Sequence, residues 1–140
     1  SFSPSFKSNN TMAKIKLGAA PKNFKKTVKF LMLDGTTGSI EMSYLYRTRK
    51  EFGALVDEAR AEAVKEAADL DTGATFTLEG HLAATDLANA DYLLKIADGW
   101  DVEADFTHAT CEQLGDELPA AIVAIVDGYR LAVTEGSLGN

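Results

Sequence analysis

Val28-Lys29-Phe30-Leu31-Met32-Leu33-Asp34-Gly35-Thr36-Thr37-Gly38-Ser39-Ile40-Glu41-Met42-Ser43-Tyr44-Leu45-Tyr46 reads as two strands joined by a turn. The flanking runs are rich in β-branched and aromatic residues. Between them, Gly35 and Gly38 offer the positive φ that a tight reversal demands. Ile40, Met42, Tyr44 and Tyr46 fall on one face of the second strand, and Glu41 and Ser43 on the other. Val28, Phe30 and Met32 alternate in the same way with Lys29, Leu31 and Leu33. A hairpin alone is marginal in water, so this one must pack on other elements or pair with another chain.

The residues that follow supply helices for it to pack on. Thr48-Arg49-Lys50-Glu51 is a capping box, in which Thr accepts a backbone N–H and Glu reaches back three residues. Behind it Phe52, Leu55, Val56, Ala59, Ala63 and Ala67 form a stripe of helical period. The expected helix runs over about 49–69 and stops at Asp71-Thr72-Gly73. Residues 71–84 read as either a third strand, around Thr75-Phe76-Thr77-Leu78, or a loop. Thr85 is the expected cap of a second helix over about 86–98, closed by Gly99. Thr107 opens a short third helix through Leu118, with Cys111 and Leu114 inward. Pro119 suits the first turn of a fourth, where Ile122, Ile125, Val126, Tyr129 and Val133 repeat at helical spacing. Glu135 to Asn140 reads as a frayed end. The expected fold is therefore α+β: an N-terminal β-hairpin packed on a bundle of about four α-helices.

The whole chain has 140 residues and a formal net charge of −7. That length favours one domain and suffices for a core without disulfide or metal. A single Cys excludes an internal disulfide framework and a multi-Cys zinc site. The charge is uneven: residues 1–33 carry seven Lys and no acid, so the remainder carries −14. The basic segment reads as a solvated leader, or as an arm that contacts an acidic partner or nucleic acid. The acidic balance of the whole argues against a general nucleic-acid binder. Residues 1–11 are Ser-rich and polar and precede Met12, which has the look of a natural start. They are expected to be an upstream extension or added residues outside the fold. The domain division is thus a basic leader over 1–23 and one domain over 24–140. No apolar run approaches the ~20 residues a bilayer crossing needs, and no signal peptide is apparent.

Residues capable of chemistry do not converge. Asp98, Asp101, Glu103 and Asp105 lack the ligand spacing of an EF-hand loop. His108 and Cys111 stand three apart on a helix, but zinc wants four ligands and only His81 remains. No phosphate-binding glycine loop occurs. No catalytic, cofactor or metal residue is assigned, and no cofactor is expected. Trp100, in the Gly99-Trp100-Asp101 turn, is either a plug between elements or an interface anchor.

Several segments together resemble a known family. Arg47-Thr48-Arg49-Lys50-Glu51-Phe52 follows the hairpin. Gly99-Trp100-Asp101 precedes further acids. Glu117-Leu118-Pro119-Ala120-Ala121 starts the last helix, and Leu138-Gly139-Asn140 ends the chain. In this order and spacing, over about residues 24–140, they resemble the tail assembly chaperones of long-tailed bacteriophages and prophages. The resemblance implies a non-enzymatic protein of the host cytoplasm that binds the tape-measure protein, keeps it soluble and helps tail-tube protein assemble around it. It implies absence from the mature virion. It further implies that a longer frameshifted form exists in many relatives, for which this chain would be the short form.

Such a function needs an apolar groove or a strand edge for a helical, partly apolar partner. The candidate partner-binding residues are Tyr44 and Tyr46 on the hairpin, Trp100 in the turn and Tyr129 on the last helix. For each the competing role is core packing. A homo-oligomer is compatible with an exposed strand edge. The alternatives are a structural tail component, such as a tail-tube or tail-completion protein, and a small nucleic-acid-binding regulator that uses the basic arm.

Overall fold

The computed structural model describes residues 14–70 and 76–136. The hairpin is present, and longer than the sequence suggests: β1 is Asn23–Leu31 and β2 is Thr37–Leu45. Their antiparallel register sets Phe24 opposite Tyr44, Val28 opposite Ile40 and Phe30 opposite Gly38. Gly35 takes the positive φ, at 88°, while the Asp34 carboxylate accepts the Thr36 N–H at 3.0 Å. Gly38 does not turn the chain. It lies inside β2 under its neighbours, where a Cβ would stand 2.6 Å from Met32 Sδ and 3.0 Å from the Phe30 ring.

Helix α1 is Arg49–Leu70, and its Thr48–Glu51 capping box forms in both directions, at 2.9 and 3.2 Å. The expected stop at Asp71-Thr72-Gly73 lies outside the described residues, as do the leader residues 1–11 and the ending Ser137 to Asn140. Helix α2 is Leu78–Ile96, which corrects the reading that it starts at Thr85. Thr77 is the cap, accepting from Gly80 N, and no strand forms at Leu78. Thr85 sits inside the helix instead, its hydroxyl donating to His81 O at 3.0 Å.

The chain then departs from expectation. Ala97–Trp100 is a strand, β3, and Gly99 lies in it rather than capping α2. It pairs antiparallel with β2, Met42 opposite Trp100 and Ser43 opposite Gly99, before a bulge brings Ala97 opposite Tyr44. The hairpin thus becomes a three-stranded sheet of order β1-β2-β3 with β2 in the centre. Helices α3, His108–Glu117, and α4, Pro119–Glu135, follow as anticipated, and Gly136 in the left-handed region (φ 72°) ends α4.

One sheet face carries Val28, Ile40, Met42 and Tyr44, all buried against α4 and α2. From the helices come Leu93, Ile96, Cys111, Ile122, Ile125 and Tyr129. Helix α1 packs through its first turns, where Leu55 is buried; residues 61–66 are exposed, with Glu62 reaching Lys95 of α2 at 3.3 Å. Helix α3 is held by a reciprocal cap, in which Thr107 Oγ1 accepts Thr110 N and Thr110 Oγ1 accepts Thr107 N. Thr107→Ala should cost about 1 kcal/mol, read as a lower urea midpoint with unchanged m-value.

Candidate functional site

The four candidate partner residues separate into two pairs. Tyr44 and Tyr129 are fully buried. Their rings stand 5.2 Å apart, with Phe24 and Phe52 packed on Tyr129 at 6.4 and 5.8 Å. Each phenol has found an interior carbonyl: Tyr44 donates to Ile125 O at 2.6 Å and Tyr129 to Leu45 O at 2.8 Å. Burial pushes both phenols up, Tyr44 well above the usual phenol range. Any part these two take in binding therefore acts through the core they hold. Tyr46 is 40% exposed at the end of β2, and Trp100 is half-buried. The Trp100 indole donates Nε1–H to Ala104 O at 2.8 Å and meets the Phe106 ring edge-on at 5.0 Å.

Arg47 is a participant that sequence reasoning passed over. Its guanidinium donates to Lys95 O at 2.8 Å and to Tyr129 Oη at 3.1 Å. A cation thereby meets the carbonyl end of α2 and ties it to β2 and α4. Arg47 stood in the quoted Arg-Thr-Arg stretch, but only the folded chain brings Lys95 and Tyr129 to it.

Two of the four acids over 98–105 serve the sheet. Asp98 accepts from Asn23 Nδ2 at 3.1 Å, and Asp101 accepts from Glu41 N at 2.9 Å. Hydrogen bonding from Ser43, helped by Asn23 and Lys25, holds the Asp98 carboxyl below its usual range. His108 and Cys111 do not converge. Cys111 is buried, and burial pushes its thiol up to about 11. His108 lies between Asp91, at 2.6 Å from Nε2, and Glu112, at 2.6 Å from Nδ1. Among the described residues no group of three or more His, Cys, Asp or Glu is placed to hold a metal ion.

The clamp on His108 carries a pH dependence. Hydrogen bonds that its ring donates to the Asp91 and Glu112 carboxylates raise its pKa above the ordinary 6.5. A raised folded pKa means stability present in full below pH 6.5 and lost as pH rises through the folded value. His108→Gln should therefore lower the melting temperature at pH 6 more than at pH 9, as measured by thermal denaturation across that range.

Apolar surface is exposed among the helices as well as at Leu31 and Leu33 of the hairpin. A groove of about 590 Å³ runs between α1, α2 and α4. Val56, Ala59 and Ala63 line it from α1, Tyr92 from α2, and Val123 and Val126 from α4. Val123 is 68% exposed. Along the edge, Arg130 donates to Asp127 at 2.7 Å. Small residues at 59 and 63 leave room beside α1, and the shape and chemistry fit an amphipathic helix.

Over residues 12–140, nearly its full length, the sequence matches the phage tail assembly chaperone family. The chain belongs to that family. No curated protein and no solved structure matches it. This phage tail assembly chaperone has no helix, among the described residues, long and apolar enough to cross a membrane.

Proposed function

We propose that this tail assembly chaperone binds the tape-measure protein of its phage in the α1–α2–α4 groove, keeps it soluble and promotes tail-tube assembly around it. The observation that carries this reading is the groove itself: an open apolar channel between helices, with Val123 left largely in solvent. A long helical partner would bury its own apolar stripe there, which otherwise drives it to self-associate. Tyr46 and Trp100 are proposed as outer contacts, and Tyr44 and Tyr129 as the supports that hold β2 on α4. The role is non-enzymatic: it consumes no cofactor and is performed in the host cytoplasm by a protein left out of the finished particle. Residues 24–140 form the working domain, with 1–23 as a basic leader. The net charge of −7 keeps the loaded complex dispersed.

Co-expression with the tape-measure protein encoded beside it tests this. The partner should shift to the soluble fraction and co-purify, while purified particles contain no copy of this chain. An insoluble partner, with this chain present in particles, would instead make it a structural tail component.

A further inference from the structure

The sheet has two outer strands, and their edges differ. β3 offers only four residues and carries Asp98. β1 offers nine, with Lys25, Lys26 and Lys29 and no acid. At its two ends the Lys22 carbonyl accepts Tyr46 N at 2.8 Å, and Met32 N donates to Thr36 O at 2.7 Å. An antiparallel ladder alternates, so the even-numbered residues between them bond to β2. The backbone groups of Lys25, Thr27, Lys29 and Leu31 therefore point away from the sheet. Among the described residues no backbone group bonds to them.

The two faces of this edge differ in chemistry. Lys25, Thr27 and Lys29 are exposed on the outer face, followed by Leu31 at 70%. Phe24 and Phe30 lie on the opposite face. Both pack on the core yet stay half-buried, because β1 has a strand on one side only. We propose that the β1 edge takes up an extended segment of another protein in which acidic and apolar residues alternate. Its backbone pairs with the open row, its carboxylates meet Lys25 and Lys29, and its apolar side chains complete the cover over Phe24 and Phe30.

Charge selects this occupant over others. Residues 1–33 contain no acid, so the chain's own leader cannot supply the carboxylates. The β1 edge of a second copy would set lysine against lysine. Nucleic acid would find the lysines but, among the described residues of the outer sheet face, no aromatic ring on which a base could stack. This surface is separate from the α1–α2–α4 groove, and the inference does not rest on the tape-measure reading.

Fluorescence anisotropy tests it, with the full chain titrated into a labelled nine-residue peptide alternating Glu and Val, at about 50 mM salt, where exposed charges are weakly screened. Saturable binding is expected, and a Lys–Val peptide of equal length should bind at least tenfold more weakly. Two N-methylated forms of the Glu–Val peptide, one blocked at the Glu amides and one at the Val amides, separate strand addition from charge attraction. An added strand uses one edge, so one form should lose tenfold or more and the other should bind like the parent. Lys25→Glu/Lys29→Glu, on exposed positions and checked by circular dichroism, should reverse the preference between the Glu–Val and Lys–Val peptides. Absence of saturable binding, equal affinity for the two N-methylated forms, or a preference unmoved by the lysine changes would each overturn the proposal. Tighter binding of a nine-nucleotide oligothymidylate that displaces the peptide would make the edge a nucleic-acid surface and also overturn it.

Discussion

Gly128→Leu is expected to abolish the native fold at ordinary temperatures, and Gly128→Ala to destabilise it against the usual trend for helices. An alanine normally gains about 1 kcal/mol over glycine inside a helix. At Gly128 the added Cβ would stand 2.7 Å from Val28 Cγ1 and 3.2 Å from Tyr44 Oη. Neither neighbour can yield. Val28 is buried and β-branched, hence stiff at χ1, and the Tyr44 phenol is tied to Ile125 O at 2.6 Å. The helix must lift from the sheet, and overpacking of this kind costs about 1–3 kcal/mol, more for a larger side chain. Gly128→Ala should therefore lose up to about 2 kcal/mol net. Gly53 is the internal control. It lies on the solvent side of α1's first turns with nothing within 4 Å of a Cβ, so Gly53→Ala should gain about 0.5–1 kcal/mol. Urea denaturation of the two variants should give opposite signs. A stabilised Gly128→Ala would mean that α4 does not seat on β1 as described.

The second large effect concerns binding. Val123→Glu should reduce co-purification of the tape-measure protein tenfold or more while changing stability by no more than about 0.5 kcal/mol. Val123 is mostly in solvent in the free protein, so the carboxylate stays hydrated there and folding is little affected. In the complex the same charge would sit in an apolar channel without a partner, where each 1.4 kcal/mol lost is a factor of ten in affinity. Val123→Leu keeps the apolar character and should retain binding. If the Glu variant rescued the partner as well as wild type, the α1–α2–α4 groove would not be the binding surface.

The parts of the fold that were legible from sequence are those with strong local chemistry. The hairpin announced itself by alternation, α1 and α3 by their caps, and α4 by Pro119 and an unbroken apolar series. The third strand was not legible, for a physical reason. Ala97-Asp98-Gly99-Trp100 has little β-propensity, and a Gly after a helix is most often its cap. What makes it a strand is the free edge of β2, whose backbone groups need partners wherever Met42 and Tyr44 are buried. The α2 boundary failed for a similar reason. Thr77 stands in a strand-like run, which hides its capping role, and Leu78 and Leu82 stay exposed, so no buried stripe marks the first turns of α2. At the candidate site, aromatic identity was visible but direction was not. Tyr44 and Tyr129 turn inward because Ile125 and Leu45 offer carbonyls there, and those acceptors exist only once α4 lies across the sheet.

That late third strand sets an order of events during synthesis. Fifty-one residues separate the end of β2 at Leu45 from the start of β3 at Ala97. At about 5–20 residues per second, the ribosome takes roughly 3–10 s to supply them. Through that interval the hairpin has its central strand's second edge unpaired, and Tyr44 lacks the α4 carbonyl that will hold its hydroxyl. The newborn chain thus passes through the condition it is proposed to prevent in another protein. The lysines of β1 discourage pairing only at that strand's own outer edge, so the β2 edge waits unguarded for β3.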